Sequence, residues 1–197
     1  NQGVDIHLAT AVKLFGEKEA PAKRNYAKSV NFGLLYGMGP KKLSDEVGIS
    51  TTEAKAIITS YFASFPTVKN FLEGIQERVK IDGYVETLLG RRRLFDYESA
   101  NAMMKASFMR ESVNTVFQGS AADLIKLSMN HIDTMIQEEK LDAYMLLQIH
   151  DELIFEIKEE KVEEISKRFV HVMETIFELD VPLECSVSVG DSWGELK

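Results

Sequence analysis

Two apolar runs late in the chain, Tyr144-Met145-Leu146-Leu147-Gln148-Ile149 and Leu153-Ile154-Phe155-Glu156-Ile157, are separated by only three polar residues, His150-Asp151-Glu152. Apolar runs of this length on either side of a polar turn read as the strands of a hairpin. Such a hairpin lifts the side chains of His150, Asp151 and Glu152 out of the sheet at its tip. Residues 84–88 alternate in the same way after the turn Asp82-Gly83, with 89–95 as their returning partner, and 183–189 alternate as a closing strand.

The rest of the chain has helical period. Ile6, Ala9, Ala11, Val12, Leu14 and Phe15 form an amphipathic segment that ends at Gly16. Pro21 sits where a first helical turn tolerates proline, and its segment runs through Val30, Leu34 and Leu35 until Gly37, Gly39 and Pro40 stop it. Ser50 or Thr51 followed by Glu53 marks the start of a helix through Tyr61, and Pro66 opens another to about Lys80. Residues 99–138 form a long helical stretch with an expected break near Gln118-Gly119-Ser120, and 159–177 form an amphipathic helix. There is no repeat and no low-complexity tract. The class is α+β: a helical front with a small antiparallel sheet behind it.

At 197 residues the chain is one domain or two small ones, and 45% hydrophobic with 27% charged residues is the balance of a soluble globular protein. No run approaches the roughly 18 apolar residues of a membrane span, so no membrane partner is expected, and the first residues are no signal peptide. The single Cys185 makes no internal disulfide, and a reducing, cytoplasmic interior is the expected compartment. The net charge of −8 argues against a nucleic-acid partner only as a sum. Residues 1–130 hold 17 Lys and Arg against 14 Asp and Glu, a net of +3, whereas residues 131–197 hold 6 against 17, a net of −11. Cations cluster at Lys23, Arg24 and Lys28, at Lys41 and Lys42, and at Arg91, Arg92 and Arg93. The split suggests a basic working surface beside an acidic solvated one, although mixed surface charge without function is the competing reading.

Three groups of residues could carry chemistry. Arg24, Lys28, Phe32 and Tyr36 recur every four positions and so share a sector of about 120° along about 18 Å of helix axis. Two cations near a helix N-terminus favour a polyanion, and two rings further along offer flat surfaces to a base; a solvated basic end and a buried aromatic end is the plain alternative. At the hairpin tip, the adjacent carboxylates of Asp151 and Glu152 are hard oxygen ligands suited to Mg²⁺. Asp is equally a common turn former. Arg110, Asn114 and Gln118 are again spaced by four, and such donors can reach the acceptors that every base pair shows in the minor groove without reading sequence. An exposed polar helix face is the alternative there.

Together these residues resemble the C-terminal part of the family A DNA polymerases, the bacterial DNA polymerase I type. The run from Arg24 to Gly37 is similar to the family's motif B, Arg-x₃-Lys-x₃-Phe-x₃-Tyr-Gly, and Leu147-Gln148-Ile149-His150-Asp151-Glu152 is similar to motif C. Between them the segments 84–93 and 118–123 match in order, and the likeness runs from Asp5-Ile6-His7 to Gly190-Asp191-Ser192-Trp193. The resemblance implies a mostly helical fingers subdomain over 1–82, with the nucleotide-binding helix at 21–37, and part of a palm over 83–197, with the motif C hairpin at 144–157. It implies that Arg24 and Lys28 hold the triphosphate of a dNTP with help from His7, and that Phe32 stacks near sugar and base, poorly accepting dideoxynucleotides. Tyr36 then sits at the template side, with Gly37 and Gly39 as hinges for closure. Arg110, Asn114, Gln118, Arg91, Arg92 and His150 would touch primer–template DNA. Asp151 would ligate the catalytic metal, Glu152 would lie beside it, and the reaction would use two Mg²⁺ ions. A monomer is the expected state.

The family's motif A, with its second metal-binding Asp, has no match in the chain, and neither Asp5 nor Glu17 stands in its surroundings. The chain is therefore expected to be a fragment that does not polymerise alone. Phage-type single-subunit RNA polymerases share the Arg-x₃-Lys-x₇-Tyr-Gly frame, though usually with His-Asp-Ser at the carboxylate motif; a non-catalytic nucleic-acid-binding remnant and a helical scaffold are further alternatives. His131 and His171 read as structural, Cys185 as a small buried group on the last strand, and Trp193 as packing the C-terminus down.

Overall fold

The computed structural model describes residues 5–196, which fall into two compact units, one up to Gly119 and one from Ser120. The α+β reading holds: among the described residues helices predominate, with two small antiparallel sheets. Among the described residues no helix is long and apolar enough to cross a membrane.

The first unit opens with α1 (Ile6–Phe15), whose first turn is capped by Asp5: its Oδ1 accepts from the backbone N–H groups of His7 at 2.9 Å and Leu8 at 3.1 Å. Helix α2 (Ala20–Leu35) has Pro21 in its first turn and packs on α1 through the buried small residues Ala11, Ala20 and Ala27, which let the two backbones approach closely. The chain leaves α2 through Gly37 at φ 75°, a left-handed conformation that glycine adopts without strain. The Gly39-Pro40 pair does more than stop α2. Pro40 occupies the first position of a further short helix, α3 (Pro40–Val47), which the sequence reading did not anticipate. Ser50 and Glu53 form a reciprocal capping box for α4 (Thr51–Ser64), and α5 spans Pro66–Ile81. Val30, Leu34, Leu43, Ala54 and Tyr61 make one core across α2, α3 and α4. A second core joins Leu72, Ile75 and Val79 of α5 to Val85 of β1 (Tyr84–Glu86), to Phe95, and to Val113 of the long helix α6 (Ala102–Glu139). Strand β1 pairs antiparallel with β2 (Arg92–Leu94), Val85 opposite Arg93.

Helix α6 runs unbroken through Gln118-Gly119-Ser120, contrary to expectation. A Cβ on Gly119 would lie 2.7 Å from Thr87 Cγ2, so this glycine serves a close approach between helix and hairpin.

The second unit is built on Ile132 and Ile136 of α6, Ala143 of β3 (Ala143–Ile149), and Ile165 and Phe169 of α7 (Val162–Thr175), with Phe155 of β4 (Glu152–Ile157) packed against them. Strands β3 and β4 form the expected hairpin, with Ala143 opposite Ile157 and a bulge between Met145 and Leu147. Its turn is shorter than three residues: Glu152 already pairs with Ile149.

Residues 183–189 are not a strand. Alternation prepares a segment for a ladder, but a strand exists only where a neighbour supplies the hydrogen bonds, and none of the described residues does so. Val187 and Val189 are accordingly exposed, and Cys185 is half-buried in irregular chain, its N–H donating to Glu174 Oε1 at 2.8 Å. Burial, and then the nearby Glu174 carboxylate, push its thiol pKa up. Trp193, expected to pack inward, stands exposed on a 3₁₀ turn.

Candidate functional site

The four-residue stripe on α2 survives folding as a surface. Arg24, Lys28 and Phe32 are exposed and Tyr36 is half-buried at the helix end. Lys28, Phe32, Tyr36 and Gly37, with Lys42 of α3 and Arg110 of α6, line an open cavity of about 620 Å³. Two glycines permit this geometry. A Cβ on Gly33 would fall 2.5 Å from Met38 Cε, and one on Gly37 would meet Arg110 Cγ at 3.0 Å. Side chains at either position would push Met38 or Arg110 away.

Arg24, at the other end of the stripe, is held by the residue that caps α1: its Nε lies 2.5 Å from Asp5 Oδ2. This hydrogen bond from Arg24, followed by the backbone N–H of Leu8, lowers the Asp5 pKa below its ordinary value. His7, in the first turn of α1, packs its ring against Phe32 at 5.5 Å between centroids. Its Nδ1 lies 3.0 Å from Nδ2 of Asn31, and Asn31 Oδ1 accepts from Thr10 Oγ1 at 3.0 Å. The sequence reading does not single out Asn31 or Thr10, and it names Lys42 only as one of a cluster of cations. Asn31 precedes Phe32 by one residue, about 100° around the helix from it, and its link to Thr10 and His7 exists only once α1 lies on α2.

Arg110, Asn114 and Gln118 lie one turn apart along α6. Arg110 and Gln118 are exposed; Asn114 is half-buried, and its Oδ1 is buried with no hydrogen-bond partner among the described residues. Of the arginine cluster, Arg91 Nη2 donates to the Gly119 carbonyl at 3.1 Å. Arg92 pairs with Glu86 at 2.7 Å and lies over the Tyr84 ring, and Arg93 pairs with Glu111. These guanidinium groups tie the β1–β2 hairpin together and to α6.

In the second unit, His150 and Asp151 form the β3–β4 turn. His150 adopts φ 54°, which lets two residues reverse the chain, and Gln148 Nε2 donates to its carbonyl at 2.5 Å. Asp151 and Glu152 are both exposed. Among the described residues no three His, Cys, Asp or Glu side chains converge on one point. Mg²⁺ usually takes one or two carboxylates and completes its shell with water and phosphate. An exposed carboxylate pair at a turn fits that donor set.

The family model described as DNA polymerase family A matches residues 1–195. DNA polymerase I of Helicobacter pylori strain J99 is 45% identical over 197 residues, covering all of this chain and 22% of that protein. The thermostable DNA polymerase I of Thermus filiformis is 44% identical, again over the whole chain and 24% of its own length. Among solved structures, the POL domain of Pol1 from M. smegmatis, in complex with DNA primer-template and dNTP, superposes with a TM-score of 0.92 at 36% identity, covering all of this chain and 35% of that one. The chain thus spans between a fifth and a quarter of the length of these two curated relatives.

Proposed function

Since the chain belongs to DNA polymerase family A, we propose that it supplies the nucleotide-binding helix and one metal-binding hairpin of a template-directed DNA polymerase. The observation that carries the reading is the cavity where Lys28, Phe32, Tyr36 and Arg110 meet. It offers cations to a polyphosphate and rings to a base and sugar within one nucleotide's reach. The solved relative with primer-template and dNTP bound supports DNA and dNTP as the partners. On this reading residues 1–82 act as fingers and 83–197 as part of a palm.

Lys28 holds the triphosphate, joined by Arg24 once it exchanges Asp5 for phosphate, and by His7. Phe32 stacks on the incoming nucleotide, and Tyr36 lies beside the nascent pair. Arg110, Asn114 and Gln118 contact primer–template near its end through their N–H donors. Arg91 and Arg92 shape the neighbouring hairpin and add positive charge to it. His150 steadies the primer terminus. Asp151, with Glu152 beside it, is the Mg²⁺ ligand of this chain, and the two-ion site would be completed by a carboxylate from outside it. When bound, such ions stabilise charge on the attacking and leaving oxygens. The primer 3′-hydroxyl attacks the α-phosphate, and pyrophosphate leaves. The reading includes a monomer at work in the cytoplasm, a compartment that suits one unpaired thiol.

Primer extension by the whole protein tests this. Asp151→Ala should cut the rate by orders of magnitude while leaving DNA affinity within about twofold. Lys28→Ala should lower kcat/KM for dNTP by about 10²–10³-fold, the scale of removing one charge-stabilising group. A wild-type protein that binds DNA but never extends it would leave a non-catalytic binding protein instead.

A further inference from the structure

We infer that Asn31, backed by Thr10, is a positioning residue that grips His7 by Nδ1 and leaves Nε2 as a proton-bearing donor for the polyphosphate of the bound nucleotide. The inference rests on the nucleotide-binding reading above. Asn31 and Thr10 are 4% and 0% exposed. Buried polar groups of this kind are stable only when paired, so their partners are informative. Thr10 Oγ1 lies 2.8 Å from the Ile6 carbonyl and 3.0 Å from Asn31 Oδ1, and Asn31 Nδ2 lies 3.0 Å from His7 Nδ1.

An amide nitrogen only donates, so Nδ1 of His7 is the acceptor and the ring proton of the neutral imidazole sits on Nε2. Nε2 makes no hydrogen bond among the described residues. Turned over, the same amide would accept from Nδ1–H and leave Nε2 of the neutral ring without a proton, so where the neutral ring holds its proton tells the two orientations apart. Phe32 fixes the ring from the side, its centroid 5.5 Å away at 50°. With the amide nitrogen on Nδ1, a nucleotide phosphate meets a preset N–H donor beside Phe32 of the stripe that carries Lys28.

The test is a double-mutant cycle in the whole protein, read as KM and kcat for dNTP incorporation. Asn31→Leu should raise KM about tenfold and move kcat less, the size of one positioned hydrogen bond. In a His7→Ala background the same substitution should raise KM by less than about twofold, because the group it positions is gone. Thr10→Val, close in shape, should act in the same direction more weakly and also lose its effect without His7. A second readout is independent of activity: ¹⁵N-histidine spectra, with His7 assigned by its loss in His7→Ala, should show a neutral ring protonated on Nε2 alone, and Asn31→Leu should relax it to the mixed tautomers of a free imidazole. Equal effects of Asn31→Leu with and without His7, an unchanged KM in a folded variant, or a neutral ring protonated on Nδ1 would each overturn the inference. If the wild-type protein extends primers and the cycle is additive, the inference alone fails; if it neither binds nor uses dNTP, both readings fall.

Discussion

Asp5 does two things with one carboxylate: Oδ1 caps α1 and Oδ2 pairs with Arg24. The ion pair needs the ionised form, and the pKa of the folded state is lowered, first by the Arg24 hydrogen bond. A depressed carboxylate stabilises the fold above its unfolded pKa, and that contribution disappears as the pH falls through the folded value. The expected outcome is that Asp5→Asn, which keeps an accepting oxygen but no charge, is less stable than wild type at neutral pH. The difference should begin to shrink as the pH falls past the ordinary carboxylate value of 3.8 and vanish below the lower folded value. Thermal melts of both proteins across that range check it, and a difference that persists in strong acid would show that packing, not charge, distinguishes them. At this scale the legible residues were those that work alone or by period: Arg24, Lys28, Phe32 and Tyr36 follow from spacing by four. Asp5, Thr10 and Asn31 were illegible as partners because each acts across the α1–α2 contact, which no local pattern encodes.

Elements were readable wherever local chemistry decides them and misread where a neighbour does. The Ser50–Glu53 box, the prolines opening α2 and α5, and Gly16 after α1 are complete signals within a few residues. The alternation of 183–189 needs a ladder partner, and Gly119 looked like a helix break because its real constraint lies on the β1–β2 hairpin. That constraint can be measured. In an unencumbered helix Gly→Ala gains about 1 kcal/mol. At position 119 the new methyl meets Thr87 Cγ2 at 2.7 Å and Arg91 Nη2 at 3.3 Å, and Thr87 is buried. Overpacking of this kind costs about 1–3 kcal/mol, so Gly119→Ala should destabilise the chain. Thr87→Ser removes the offending methyl and keeps the oxygen that accepts from the Arg91 N–H at 3.1 Å. The double variant should recover most of the lost stability in denaturant melts at unchanged m-value. No recovery would place the strain elsewhere on α6.

Across the whole molecule the charge follows the structural division. The unit up to Gly119 holds 16 Lys and Arg against 13 Asp and Glu, a net of +3, and the unit from Ser120 holds 7 against 18, a net of −11. In the second unit Lys158, Lys161, Lys167 and Arg168 all pair with glutamates. In the first, Lys28, Lys42 and Arg110 face the cavity. A chain that is acidic in sum can therefore bind a polyanion through one unit. Each phosphate contact a cation makes releases counterions, and log affinity falls with log salt by about 0.9 per contact on duplex DNA. On the proposed reading Arg110→Gln in the whole protein should make that slope shallower by about one contact and weaken binding across all primer–template sequences alike. Lys167→Gln, an equal loss of charge already paired with Glu163 at 2.6 Å, should leave the slope where it was. Fluorescence anisotropy on a labelled primer–template over a salt series separates the two. If both variants shift the slope equally, binding follows net charge rather than the placed cations, and the assignment of Arg110 to DNA fails with it.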